Sequence, residues 1–148
     1  MKKVVFTTTL RAIRAQNPCE DGWEKLLSHL DKKKADDEPL NLLTILESNG
    51  VSDVLWALRC VEHPDLDRVA RLMACDFAEA VLPIFEKKYP NDMRPRECIR
   101  MARMCARGEA DDKQRAAAGA AGAARAARAA WAAEADQAKI IRKYLVAS

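Results

Sequence analysis

The sequence predicts an all-α fold, a single-domain multi-helix bundle over residues 1–148 that closes on a long alanine-rich C-terminal helix. Hydrophobic residues recur at helical spacing through most of the chain, and aromatic residues make up only 5% of it, so the core must be filled by closely packed helices. Proline, glycine and Asn/Asp punctuation separates the periodic runs by turns of a few residues, as between neighbouring helices of a bundle.

In chain order, Val4-Val5-Phe6 is β-prone but too brief to stand as a strand by itself. Thr8 or Thr9 caps a short helix, Leu10 to Ala15, which ends before Asn17-Pro18. A second helix opens near Cys19-Glu20-Asp21-Gly22 and buries Trp23, Leu26, Leu27 and Leu30. The polar run from Asp31 to Glu38 is the best exposed loop. Pro39 then starts a helix of Leu40, Leu42, Leu43, Ile45 and Leu46, closed by Asn49-Gly50. Ser52 or Asp53 caps Val54 to Val61, apolar nearly all round and so expected in the middle of the bundle, with Arg59 at its carbonyl end. After His63-Pro64 a longer helix tracks Leu66, Val69, Ala70, Met73, Phe77, Ala80, Val81 and Ile84 on one face, and Pro83 predicts a kink or an ending near Val81. Tyr89-Pro90-Asn91-Asp92 is a turn.

The next helix, Pro95 to Arg107, carries the chain's most distinctive pattern. Arg96, Arg100, Arg103 and Arg107 stand at i, i+4, i+7 and i+11, one cationic stripe on a helix, with Cys98, Ile99, Met101, Ala102 and Cys105 on the core side. Gly108 supplies a left-handed ending. From Glu109 the pattern becomes an alanine-rich helix reaching Tyr144, with Gly119 and Gly122 inside it. On its wheel Arg125, Arg128, Asp136, Lys139, Arg142 and Lys143 share one arc, and Trp131, Ile141, Tyr144 and Leu145 lie largely opposite. Such a helix reads as a structural cover or as a small-residue face that admits a partner helix.

Charge divides along the chain. Residues 1–92 hold 13 Lys/Arg against 16 Asp/Glu, an acidic half, whereas residues 93–148 hold 12 against 6, a basic half. That permits an anionic partner and equally permits internal matching. No run approaches the ~18 apolar residues that span a bilayer. The opening residues fall short of the ~7–15 apolar residues of an export signal. Together with five cysteines and no C-x-x-C pair, this places the expected location in the cytoplasm, with free thiols.

Chemistry-bearing clusters are scarce. His29 and His63 lack partners at ligand spacing, so no metal and no cofactor are expected. Cys98 and Cys105 lie two turns apart, too far for a disulfide and without an evident base to make either a nucleophile. No phosphate-binding glycine loop and no nucleophile triad is declared, so the sequence argues against an enzyme. The expected partner-binding residues are Arg96, Arg100, Arg103 and Arg107, extended by Arg115, Arg125 and Arg128, with Asp36, Asp37 and Glu38 as a second, acidic site. Outward-facing guanidinium groups grip carboxylates or phosphates as bidentate donors, whereas contact with the chain's own acids would neutralise them. Without interleaved aromatics or a groove-reading module, an acidic protein surface fits the stripe better than nucleic acid. A nucleic-acid-binding accessory protein and a homo-oligomeric helical scaffold stay open as alternatives.

Several segments resemble a known family. Cys19-Glu20-Asp21-Gly22-Trp23, Ile45-Leu46-Glu47-Ser48-Asn49-Gly50, Leu55-Trp56-Ala57-Leu58-Arg59 and Ala102-Arg103-Met104-Cys105-Ala106-Arg107-Gly108-Glu109 are similar to stretches of small helical bacterial and phage proteins labelled immunity proteins. In those proteins a segment ending Ala-x-x-x-Ala-x-Gly-Glu leads into a long alanine-rich helix, and the resemblance runs from about Thr8 to Leu145. It implies stoichiometric binding and neutralisation of a toxin-like protein, with no catalytic residues to carry over. Phage-borne relatives extend the implication to inhibition of a defence complex, such as CRISPR, in the host cytoplasm.

Overall fold

The computed structural model describes residues 4–111, 113 and 134–145. The alanine run, with Arg115, Arg125, Arg128 and Trp131, lies outside the described residues. The fold is all-α, with seven α-helices among the described residues and one two-stranded sheet. Two compact units are present, Met1–Leu66 with Ile141–Ser148, and Asp67–Ile140.

In the first unit, β1 (Thr7–Thr8) precedes α1 (Leu10–Ala15). Thr9 caps α1 as expected, its hydroxyl accepting from the Ala12 N–H at 3.0 Å. Asn17 ends the segment at φ 53°, a left-handed conformation that asparagine tolerates. Helix α2 (Glu20–His29) buries Trp23 and Leu26, and Asp31, also at φ 53°, turns the chain into the polar loop. The next helix does not begin at Pro39. Leu40–Asn41 instead forms β2, antiparallel to β1 with Thr7 opposite Asn41 and Thr8 opposite Leu40. Asn41 then caps α3 (Leu42–Asn49), its Oδ1 accepting from the Leu43 N–H at 2.8 Å. Proline lacks the donor that a ladder needs, so Pro39 sits just ahead of the strand, at its edge.

Helix α4 (Val51–Ala57) starts directly after Gly50, which turns at φ 91°, so neither Ser52 nor Asp53 is its cap. A short 3-10 turn (Leu58–Cys60) follows, and Arg59 Nε donates to the Trp56 carbonyl at 3.0 Å, the helix-end role expected of it. Val51, Val54 and Ala57 are buried, whereas Leu55, Trp56 and Leu58 are half-buried, so α4 has one covered face and is not the central helix of a bundle. The unit's core gathers Phe6, Leu10, Leu42, Ile45, Val54 and Ile141. Val4 bridges to Leu145, and its N–H donates to the Tyr144 carbonyl at 3.3 Å.

The second unit is led by α5 (Leu66–Lys88), which passes through Pro83 without ending. Both Pro83 and Glu79, whose carbonyl loses its donor to the proline, are exposed, so the proline falls on the solvent side of the helix. The buried face is Val69, Leu72, Met73, Cys75, Asp76, Ala78, Val81 and Leu82, rotated from the expected one. Leu66 and Phe77 are half-buried, and Ala80 and Ile84 are exposed. Helix α6 (Arg94–Ala106) opens on Pro95 and ends at Arg107 and Gly108, with Gly108 at φ 75°. Glu109 N–H closes the last turn onto the Met104 carbonyl at 2.8 Å. Cys75, Ala78, Leu82 and Ile99, with Ala102 against them, form the contact between α5 and α6. Helix α7 (Glu134–Tyr144) is the described end of the alanine-rich segment. Ile141, Tyr144 and Leu145 are buried and Lys139, Arg142 and Lys143 exposed, as the wheel predicts.

Candidate functional site

The arginine stripe of α6 meets acids on α5 and on its own helix. Arg103 reaches Asp76 Oδ1 at 2.6 Å and Glu79 Oε2 at 2.6 Å, and the first of these pairs is largely out of water, its side chains 18% and 8% exposed. Arg103 thus locks two helices together and does not face outward, which departs from the outward edge expected of it. The physical reason is the phase of α5: the turn that buries Cys75 and Ala78 also carries Asp76 inward, and a buried carboxylate requires a paired cation.

Arg96 forms a two-pronged pair with Glu86, Nε to Oε1 at 2.8 Å and Nη2 to Oε2 at 2.9 Å, which holds the Glu86 carboxyl below its ordinary range. Arg100 pairs with Glu97, one turn back on α6, with the same effect on that carboxyl, and also contacts Met104 Sδ at 3.0 Å. These two arginines stay about half exposed. Arg107 is exposed and forms no ion pair among the described residues. The stripe is therefore divided into one clamp, two partly neutralised cations and one exposed cation.

Beside it lies a surface that the sequence did not reveal. Among the described residues the large exposed hydrophobics are Val5, Ile84, Tyr89 and Met93, and the last three, at 68%, 47% and 55% exposure, fall within ten residues at the α5–α6 corner. Phe85 packs against Tyr89 with ring centroids 5.0 Å apart, and Lys88 Nζ lies 5.4 Å over the Tyr89 ring. Lys87 and Lys88 are exposed here. The far side of the corner is held by Asp92, which accepts from the Arg94 N–H at 3.1 Å and from both prongs of its side chain at 2.8 and 2.6 Å. Those bonds lower the Asp92 carboxyl to about 2. Pro83 immediately before Ile84 was the available signal, because a helix that tolerates a proline presents that turn to water.

The acidic loop is also engaged. Lys32 Nζ donates to Asp36 at 2.7 Å and to Glu38, which lowers the Asp36 carboxyl, and Arg11 Nε reaches both Asp37 oxygens at 2.8 and 2.9 Å. Asp37 and Glu38 remain exposed. His63 Nδ1 accepts from the Asp65 N–H at 3.0 Å and its ring meets Phe6 edge-on, a structural placement. All five cysteines are free thiols, and burial pushes Cys60 and Cys75 up. Among the described residues no group of three His, Cys, Asp or Glu side chains is arranged to hold a metal ion, and no helix is long and apolar enough to cross a membrane.

The second unit is thus a helix pair clamped by the Arg103–Asp76 ion pair, with Ile84, Tyr89 and Met93 exposed where the two helices join. Residues 67–141 match the family described as Imm-5 like putative immunity protein, and the chain belongs to that family. No curated protein and no solved structure matches the chain. The matched span coincides, to within one residue, with the unit Asp67–Ile140. Of the four segments that suggested the resemblance, only Ala102 to Glu109 falls inside the match; Cys19 to Trp23, Ile45 to Gly50 and Leu55 to Arg59 precede it.

Proposed function

We propose that the protein is a stoichiometric immunity-type inhibitor that occludes a partner protein through the α5–α6 corner. The observation that carries this reading is the gathering of Ile84, Tyr89 and Met93, exposed, in the unit that matches the family. Exposed apolar side chains scattered singly require no explanation, but three within ten residues are a local concentration of the side chains that interfaces bury. Lys87 and Lys88, exposed within the same ten residues, favour an acidic rim on the partner, which steers encounter more than it sets affinity. Arg107 extends the proposed basic surface, Arg115, Arg125 and Arg128 are further partner-binding candidates by sequence, and Asp36, Asp37 and Glu38 are a second candidate site.

The partner in this reading is a toxin or a host defence complex such as CRISPR, met in the cytoplasm, and the protein acts without catalysis. Phage or prophage origin rests on resemblance alone. Internal pairing of Arg96, Arg100 and Arg103 weighs against nucleic acid, because each phosphate contact would have to displace a carboxylate already in place.

The test is capture from lysate of the native host by the tagged full chain, beside its I84D/M93D and K87E/K88E variants, with thermal melting of each. The reading expects a protein held at one-to-one molar ratio that I84D/M93D loses at unchanged melting temperature, with a smaller loss for K87E/K88E. Equal capture by all three chains removes the corner from the account. Retention of nucleic acid that dissolves between low and moderate salt would transfer the function to the rival class.

A further inference from the structure

The unit formed by Met1–Leu66 with Ile141–Ser148, most of which lies outside the family match, contains a cavity of about 260 Å³. Trp23, Leu26 and Trp56 contribute apolar wall, and Cys19, Asn49 and Asp53 contribute polar atoms. Asn49 joins the backbone of α2 to Asp53. Asn49 Nδ2 donates to the Gly22 carbonyl at 2.8 Å and to Asp53 Oδ2 at 2.8 Å. A methyl group at position 22 would lie 2.9 Å from Asp53 Oδ2 and 3.1 Å from Cys19 Sγ, so a larger residue there would require one of these side chains to shift.

Asp53 carries a negative charge against that cavity, and among the described residues no lysine or arginine pairs with it. Both tryptophans already attract cations elsewhere. The Arg14 guanidinium stands 5.3 Å from the Trp23 ring centroid and that of Arg59 stands 4.8 Å from Trp56, yet neither arginine lines the cavity. Indole walls with a carboxylate that lacks a cationic partner are the elements from which organic cations are recognised, the ring by its negative face and the carboxylate by a charge-assisted hydrogen bond. A neutral apolar guest would strip water from Asp53 and return no donor, and an anion would be repelled.

We infer that this cavity binds a small organic ammonium ion, one ring or its equivalent in apolar bulk with the cationic nitrogen against Asp53. The inference stands on a different unit from the α5–α6 corner and does not depend on it.

Three probes of one shape test it on the full chain: 2-phenylethylammonium, 2-phenylethanol and 3-phenylpropionate. The readout is the indole N–H resonances of Trp23 and Trp56, assigned with W23F and W56F. The expected result is saturable shifts of both resonances with the ammonium ion, at least about tenfold weaker binding of the alcohol, no saturation with the carboxylate, and protection of the exposed Cys19 thiol from alkylation by the bound ion. D53N should weaken the ammonium ion about tenfold and leave the alcohol unchanged. Equal binding of ammonium and alcohol, or no saturable shift with the ammonium ion at millimolar concentration, overturns the inference. Because the three probes are compared on the unaltered chain, the inference stays falsifiable even should D53N fail to fold.

Discussion

Arg103 and Asp76 are the two residues on which the α5–α6 pair turns. Their side chains meet at 2.6 Å in a site only 18% and 8% exposed, so removing Arg103 takes a close cation from a buried carboxylate. R103M should cost roughly 3 kcal/mol or more, and adding D76L should recover part of it, because the buried carboxylate is then gone and Glu79, which also loses its partner, is exposed to water. Urea titration of the single and double variants checks this; equal losses in both would mean that the pair itself is not the source. Asp92 gives a pH signature. Its carboxyl lies at about 2 against an ordinary 3.8, held there by its bonds from Arg94. A depressed carboxyl contributes stability that is fully present above the unfolded value and is lost as pH falls from 3.8 toward about 2. D92N should therefore flatten the dependence of the melting temperature on pH in that acid window, and carboxyl NMR titration should find Asp92 among the lowest. The stripe residues were legible in the sequence by spacing, but their partners were not. Asp76 and Glu79 lie 27 and 24 positions before Arg103, and only the packing phase of α5 brings them there.

Helix boundaries were legible at α1, α2 and α6, where a local cap or turn residue decides them, but not at α4, which starts directly after Gly50 and not at Ser52 or Asp53. Thr9, Asn17 and Gly108 act within their own turn, and α1, α2 and α6 begin or end close to where those residues predict. Gly108 is the sharpest case, since at φ 75° a side chain is strained even though nothing lies within 4 Å of a Cβ placed there. G108A should thus destabilise by about 1 kcal/mol through backbone strain alone. T9A should cost about 1 kcal/mol by orphaning the Ala12 N–H. Thermal denaturation of both variants, with circular dichroism as readout, tests whether these caps carry that weight. Elements decided by distant pairing were not legible. Leu40–Asn41 became a strand because β1 offers it a ladder, and a helical spacing of leucines cannot register that. Ile84 continues the apolar period of α5 on paper, yet it is the most exposed large hydrophobic described, since the period gives a face but not where the neighbouring helix stops covering it.

At the scale of the molecule, the charge divide at residue 92 proved to cut through a partnership. Acids of α5 and bases of α6 belong to one unit and neutralise each other, so a count along the chain overstated the free positive charge. What stays unbalanced is hydrophobic exposure at the corner between those helices, within the span that carries family membership. This account makes residues 84–93 the centre of partner contact. Amide hydrogen exchange on the full chain, alone and saturated with the captured partner, measures that directly. Slowed exchange centred on residues 84–93 and the first turns of α6 is the predicted result. Protection confined to the Asp31–Glu38 loop and the rest of its unit, with the corner exchanging as in the free protein, would contradict it.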